Sequence, residues 1–461
     1  MSKKYLGLSL AVAVLITTAL IPPFYDLTMA GKNTLGLLLA GLILWIFNVI
    51  PISVTAILLI VLQPVYGIAS IGEAIKNFAS PVVFFVLASF GLSLAITSTP
   101  LAYRMLRKLF SFSGNDSKKI LLVFMITTCL LSSIMSNVPV ASLMMGLALG
   151  ILTRMDGEKK DLNFGKVLMI AIPFAGMIGG IMTPAGSSIN ILALDLLKSY
   201  TEIRVTFLEW MLYGSPIAVL VLPISWYILI KLFKPENIDQ KIITDFMDKN
   251  VDNKLSSKEI KVLVIVITMI ILWVSSTWIP AFDLTLIALL GLIAFFLPGI
   301  EVLNWKEYQS GASWEAVVMI GGVISIGTAV VTTGVGEWML EALMGSLTQL
   351  SIFWLLFVLG IALAVLHLPL PIAPAMVTVF AAPLTGLAIM MGIHPALLVV
   401  PLAFYSGACL IIPLDAVPLI TYTQGYYSMG DMFVSGAITT VIWVLLTATW
   451  MPIAGRIVGI F

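Results

Sequence analysis

The chain has 461 residues, 60% of them hydrophobic and only 10% charged, with a net charge of +1. A soluble domain carries about 25% charged residues, so this composition excludes an ordinary soluble globule and fits a chain whose exterior faces lipid. Near-neutrality leaves nucleic acid no electrostatic footing, and the two cysteines, Cys129 and Cys409, lie in apolar runs at a spacing that fits neither a metal cluster nor a disulfide framework.

Taken in chain order, Lys3 and Lys4 precede an apolar run that reads as a first spanning helix rather than a signal peptide, since it lacks a small-residue cleavage site. Apolar runs of spanning or near-spanning length lie at about 5–24, 34–49, 51–67, 80–100, 164–198, 206–233, 259–280, 284–298, 313–334, 395–428 and 431–457. That predicts eleven transmembrane helices in an all-α polytopic membrane protein. Two further apolar regions, 119–153 and 351–392, are each broken in the middle, at Ser136-Asn137-Val138-Pro139 and at His367-Leu368-Pro369-Leu370-Pro371. Each is either two ordinary spans or a re-entrant hairpin. A polar-then-Pro tip inside so short an apolar stretch favours hairpins, because non-helical backbone at membrane depth is tolerated only where it is buried or lines a cavity.

Charge tests this arrangement. With the N-terminus cytoplasmic, nineteen of the 24 Lys and Arg fall in cytoplasmic segments, and only Lys32, Lys76, Lys198, Arg204 and Arg456 fall outside. The positive-inside rule demands such a bias, and it puts the C-terminus outside. The polar stretch 235–258 reads as a cytoplasmic linker. It separates a first unit at 34–234, which follows the N-terminal helix within 1–33, from a second at 259–461.

The two units echo each other. The stretch 80–100 resembles 313–334; after each come an amphipathic stretch (Leu101–Phe112, Glu337–Leu347), a broken hairpin and an interrupted span. The amphipathic stretches are either interfacial arms or extensions of the preceding helices. One copy begins outside and the other inside, so the repeat is inverted. Inverted repeats with interrupted helices in matching places point to a transport site at the bilayer midplane. A broken helix offers free N–H groups and a positive dipole end to an anion, and freed carbonyls to a small cation.

Asp415 is the only acid between Glu341 and Asp431, and it sits in the break of a span. It either binds a cation, or titrates and couples protons, or caps the helix that follows. His367 either pairs with Asp415, or touches the anion, or satisfies freed carbonyls; His394 reads as interfacial. No Lys or Arg occurs between Lys306 and Arg456, so no Arg clamp can come from the second hairpin or turn. Anion recognition there falls to helix N-termini and to hydroxyls such as Thr378 and Thr421. A membrane enzyme would need a catalytic dyad or metal cluster that two histidines and two cysteines do not supply.

Pro51-Ile52-Ser53-Val54-Thr55-Ala56, Ala79-Ser80-Pro81, Ser136-Asn137-Val138 and Gly179-Gly180-Ile181-Met182-Thr183-Pro184-Ala185-Gly186-Ser187-Ser188-Ile189-Asn190 together resemble the divalent anion/sodium symporter family, over about 34–457. The resemblance implies a homodimer of eleven-span protomers with two re-entrant hairpins, each protomer divided into a scaffold and a mobile transport domain with elevator-like movement. It implies transport of C4-dicarboxylates or related di- and tricarboxylates by cation-coupled symport or anion exchange, without a cofactor beyond a coupling Na+. It places a sodium site at Ser136, Asn137, Gly186 and Asn190, and substrate contacts at Ser136, Asn137, Ser187, Ser188 and Pro374, with Val138 where the family has Thr. The second half departs from the family. Pro371-Ile372-Ala373-Pro374 and Pro413-Leu414-Asp415-Ala416-Val417-Pro418 stand where its motifs recur, so Asp415 replaces the expected cation ligands. A sodium/proton antiporter of related architecture using Asp415 is the alternative.

Overall fold

The computed structural model describes residues 3–23, 27–110, 116–155, 162–238, 254–370 and 372–461, without the side chains of residues 340 and 342–346. Among these residues every regular element is a helix. Most of the predicted linker (239–253), parts of two predicted cytoplasmic loops (111–115, 156–161) and Pro371 of the second predicted tip lie outside the described residues.

Helices α1 (Lys3–Leu20) and α2 (Met29–Ile46) pack together, and α3 (Ile52–Val65) lies against α2. A short α4 (Ile71–Lys76) leads into α5 (Pro81–Thr97). The local chemistry sets these boundaries. Ser70 and Glu73 form a reciprocal capping box at α4, and Ser80 accepts from the Val82 N–H with Pro81 in the first turn of α5. Helix α6 (Leu101–Phe110) buries Ala102, Leu106 and Phe110 along one side and carries Arg104, Arg107 and Lys108 elsewhere. Then come α7 (Ser117–Ser132), α8 (Asn137–Leu152), α9 (Asn163–Gly180), a single 3₁₀ turn (Pro184–Gly186), α10 (Ser188–Thr201) and α11 (Phe207–Phe233).

The second half runs α12 (Ser257–Ser275), α13 (Leu284–Ala294), α14 (Trp305–Gly311), α15 (Trp314–Thr332), α16 (Val335–Leu347), α17 (Ile352–Leu366), α18 (Ala373–Met390), α19 (Ala396–Ser406), α20 (Ala416–Tyr422) and α21 (Met429–Val458). Every predicted apolar run is helical here. The short helices α4 and α14 were not foreseen, because six or seven residues carry too little periodicity to stand out from a loop. The amphipathic stretches are separate helices, not extensions. Residues 98–100 turn the chain before α6, and Gly334, at φ 78°, turns it before α16.

Eight helices are long and apolar enough to cross a membrane among the described residues, and α3, α8, α13, α17 and α19 are shorter apolar helices. The chain is therefore an integral membrane protein. One residue counted as an outer loop cation sits differently: Lys32 lies inside α2, buried, with its ammonium donating to the Ile21 carbonyl. The four-carbon stem lets a lysine bury along apolar surface and still reach an acceptor at a helix end.

The halves interlock. α3 packs on α15 and α5 on α13; α8 packs on α20 and α10 on α18; α11 packs on α21. An ion pair ties the first half to the start of the second. The Arg104 guanidinium holds both oxygens of Glu259, whose side chain is 1% exposed, and donates to the Lys254 carbonyl at 2.6 Å. Glu259 also accepts from the Ser256 N–H at 2.7 Å as the acid of a capping box. Removing either partner strands a charged group, so Arg104→Ala and Glu259→Ala should each cost about 2–4 kcal/mol. The double variant should cost far less than their sum. Thermal melting of the purified protein checks this, and additive losses would show that the two side chains do not act as a pair.

Candidate functional site

Helix α9 stops at Gly180 in apolar surroundings, and the carbonyls that follow lose their helical partners. Side chains from other elements supply new ones. Asn190 Nδ2 donates to the Gly180 oxygen at 2.7 Å and to the Thr183 oxygen at 3.0 Å. Trp210 Nε1 donates to the Ile181 oxygen at 3.0 Å, and Ser215 Oγ to the Met182 oxygen at 3.0 Å. The Thr183 hydroxyl in turn donates to the Ser133 carbonyl, at the end of α7. Four consecutive carbonyls are thus each satisfied by a side chain, as burial requires.

The tip between α7 and α8 lies against this break. With its amide nitrogen toward the carbonyls around it, Asn137 donates to the Gly176 and Gly186 oxygens, each at 3.2 Å. A side chain at Gly186 has no room: its Cβ would lie 2.6 Å from the Gly180 oxygen and 2.8 Å from the Ser132 oxygen. Backbone oxygens therefore converge on Gly186 from both broken elements, and the Ser132 hydroxyl beside them is buried and has no partner among the described residues. This oxygen-rich, uncharged set suits a small hard cation.

The structure thus gathers Asn137, Gly186 and Asn190 at one junction. Ser136 precedes α8 without capping it through its side chain, and Val138 beside it is 37% exposed. Ser187 caps α10, its hydroxyl accepting from the Ile189 N–H at 3.4 Å, with Ser188 the first residue of that helix. The sequence reading missed Ser132, Thr183, Trp210 and Ser215. Only Ser132 carried a signal, as half of a Ser-Ser pair ending an apolar run; the others act from elements whose contact is tertiary.

The second break, 407–415, is built differently. Its hydrogen bonds are backbone turns, such as Leu410 N to Ala408 O at 2.9 Å and Leu414 N to Ile412 O at 3.0 Å, joined by Cys409 Sγ at 3.6 Å from the Ile412 oxygen. Asp415 caps α20, accepting from the Val417 N–H at 3.1 Å. Ser187 and Asp415 hold the same local position, each accepting from the N–H two residues on.

The two hydroxyls expected at the anion differ: that of Thr421 is engaged, while that of Thr378 is buried with no partner among the described residues. Thr421 is fully buried and shares its hydroxyl with Tyr427 Oη at 3.1 Å and the Pro418 carbonyl at 3.2 Å. Thr378, 1% exposed, packs its methyl where a Gly327 side chain would be. Pro374 is buried in the first turn of α18. His367 ends α17, 3% exposed, and neither ring nitrogen has a hydrogen-bond partner among the described residues, so it neither pairs with Asp415 nor satisfies a freed carbonyl here. His394 is half-exposed, as an interfacial side chain would be.

Asn190 is the keystone of the first break. Asn190→Asp removes the amide donors to the Gly180 and Thr183 oxygens, of which the Thr183 oxygen keeps only the Gly186 N–H at 3.2 Å, and places a charge there. It should destabilise the protein by about 2–4 kcal/mol and abolish activity. A melting curve and activity matching the unaltered protein would refute the role given to this amide.

Comparison with known proteins adds a separate line. A family model described as citrate transporter matches residues 42–407. A sodium-dependent dicarboxylate transporter of Staphylococcus aureus is 25% identical, over 98% of this chain and 92% of that protein. An uncharacterized transporter of Haemophilus influenzae is 26% identical over 91% of each. Among solved structures, the YdaH transporter of Alcanivorax borkumensis shares the fold, with a TM-score of 0.57 at 13% identity across 98% of this chain and 99% of that one.

Proposed function

We propose that this protein, which belongs to the citrate transporter family, carries a small di- or tricarboxylate across the membrane by cation-coupled secondary transport. The observation that carries this reading is the junction of two broken apolar elements at Asn137, Gly186 and Asn190. Such a junction is expensive in lipid unless it serves a ligand. Family membership identifies a transporter rather than an enzyme.

Sodium is the proposed coupling ion, as the name of the staphylococcal relatives suggests. The Ser136 hydroxyl, the Asn137 and Asn190 amide oxygens and the Gly186 carbonyl are the groups that would hold it. A bound cation would supply positive charge beside an anion that no Arg or Lys of the second hairpin or turn can reach. Ser136, Asn137 and the N-terminus of α10 around Ser187 and Ser188 would take one substrate carboxylate. Val138, having no hydroxyl, offers it only apolar contact. Thr421 would have to reorient to take part.

The architecture we infer is eleven spans and two re-entrant hairpins, α7–α8 and α17–α18, in two inverted repeats. Matching packing supports the repeats: α10 lies on α18 as α20 lies on α8, and Ser187 corresponds to Asp415. In this reading α3, α5, α13 and α15 belong to a scaffold, and the hairpins, α9–α11 and α19–α21 to an elevator-like transport domain. The N-terminus is cytoplasmic, the C-terminus extracytoplasmic, and the protein a homodimer.

Proteoliposomes should accumulate labelled succinate, malate or citrate when an inward sodium gradient is imposed. Sodium–proton exchange with no uptake or counterflow of any organic anion would overturn this reading in favour of an antiporter. Asp415→Asn keeps the cap, since an amide oxygen accepts the Val417 N–H as well. It removes only the charge, so it should change the cation or pH dependence of uptake by several-fold. An unchanged profile would leave Asp415 a helix cap alone.

A further inference from the structure

Away from both breaks, a cavity of about 210 Å³ opens where the α10–α11 junction meets residues 276–285. Its apolar walls include Ile191, Leu194, Phe207 and Phe282. Lys198 and Arg204 line it, and neither makes a hydrogen bond or an ion pair in the described structure. Asp195 stands one turn before Lys198 as the neighbouring acid. Asp283, on the opposite wall, is already engaged, its carboxylate accepting from the Thr285 N–H at 2.8 Å and the Leu286 N–H at 3.2 Å. The Thr277 hydroxyl, also in the wall, is buried and has no partner among the described residues.

These features converge on one ligand chemistry. Lys198 and Arg204 are exposed to the cavity and to solvent, with Asp195 in the same wall acting electrostatically on Lys198. Together with the orphan Thr277 hydroxyl they are donors that a charged oxygen acceptor, displacing water, would satisfy best. Outside the cytoplasmic segments the chain carries five basic residues, and two of them line this one cavity. A chain that places basic residues so sparingly on that side has concentrated them here.

We propose that this cavity is a peripheral oxyanion site, separate from the central junction, that takes a carboxylate or phosphate group through Lys198, Arg204 and Thr277. The oxyanion is either a free di- or tricarboxylate from the outer solution or the headgroup of an anionic phospholipid. Trp278 and Ile279 beside it, 70% and 43% exposed, are suited to a membrane interface. One wall is α10 and the start of α11; the other is the end of α12, the start of α13 and Pro81. Beneath them Phe207 stacks on Trp273 at 6.0 Å, and Trp273 meets Phe85 at 6.5 Å. An anion bridging the walls favours the arrangement in which they face each other. Its effect on transport rests on the scaffold and transport-domain division proposed above; its binding does not.

Ser276→Cys places a thiol in the cavity wall, and the two native thiols are buried, so maleimide labelling of this variant reads occupancy without any transport assay. In phosphatidylcholine nanodiscs, millimolar citrate should slow labelling at least about threefold if the free anion is the ligand. In phosphatidylglycerol nanodiscs labelling should be slow without citrate if the lipid headgroup is. Adding Lys198→Gln and Arg204→Gln should restore fast labelling in whichever arm shows protection. Equal labelling under all conditions would overturn the proposal. So would protection that survives both substitutions, which would report a remote effect of the central junction. Protection in a protein that moves no organic anion would leave this site standing and refute the function proposed above.

Discussion

A helix that stops in an apolar protein interior leaves carbonyls that need partners, and the rest of this structure is arranged around that cost. After Gly180 the chain frees four carbonyls in succession, and Asn190, Trp210 and Ser215 satisfy them. Each unsatisfied buried group would cost about 1–3 kcal/mol or more. The packing of α11 against α9 and the close approach of the α7–α8 tip are therefore conditions of the break, not accompaniments to it. Once met, they leave a cluster of oxygens and helix ends within an apolar protein.

The second break solves the same problem with other means. It closes on backbone turns and on a carboxylate cap rather than on side-chain amides. Ser187 and Asp415 cap their helices in the same way but differ in charge, so the two breaks present unlike surfaces. A carboxylate on one side and hydroxyls and amides on the other make the two ends of the junction chemically distinct. His367, buried without a partner near the second tip, belongs to the same asymmetry.

The halves interlock through helix packing: α10 lies on α18 and α20 on α8, so each interrupted region rests on helices of the other half. The Arg104–Glu259 pair, by contrast, fixes the arm helix α6 to the head of α12.

The sequence alone determined that this is an all-helical membrane protein and where its apolar runs are interrupted. Hydropathy, Pro and Gly placement and capping residues are local signals, and the forces they report act within a few residues. It also singled out Asn137, Gly186 and Asn190, because polar residues inside apolar runs are too costly to be accidental. Only the tertiary structure decided which carbonyls those amides serve, that Trp210 and Ser215 complete the set, and that the Thr421 hydroxyl pairs with Tyr427. The same holds for the cavity at Lys198 and Arg204. These are contacts between residues distant in the chain, and their partners follow from packing, which no local pattern encodes.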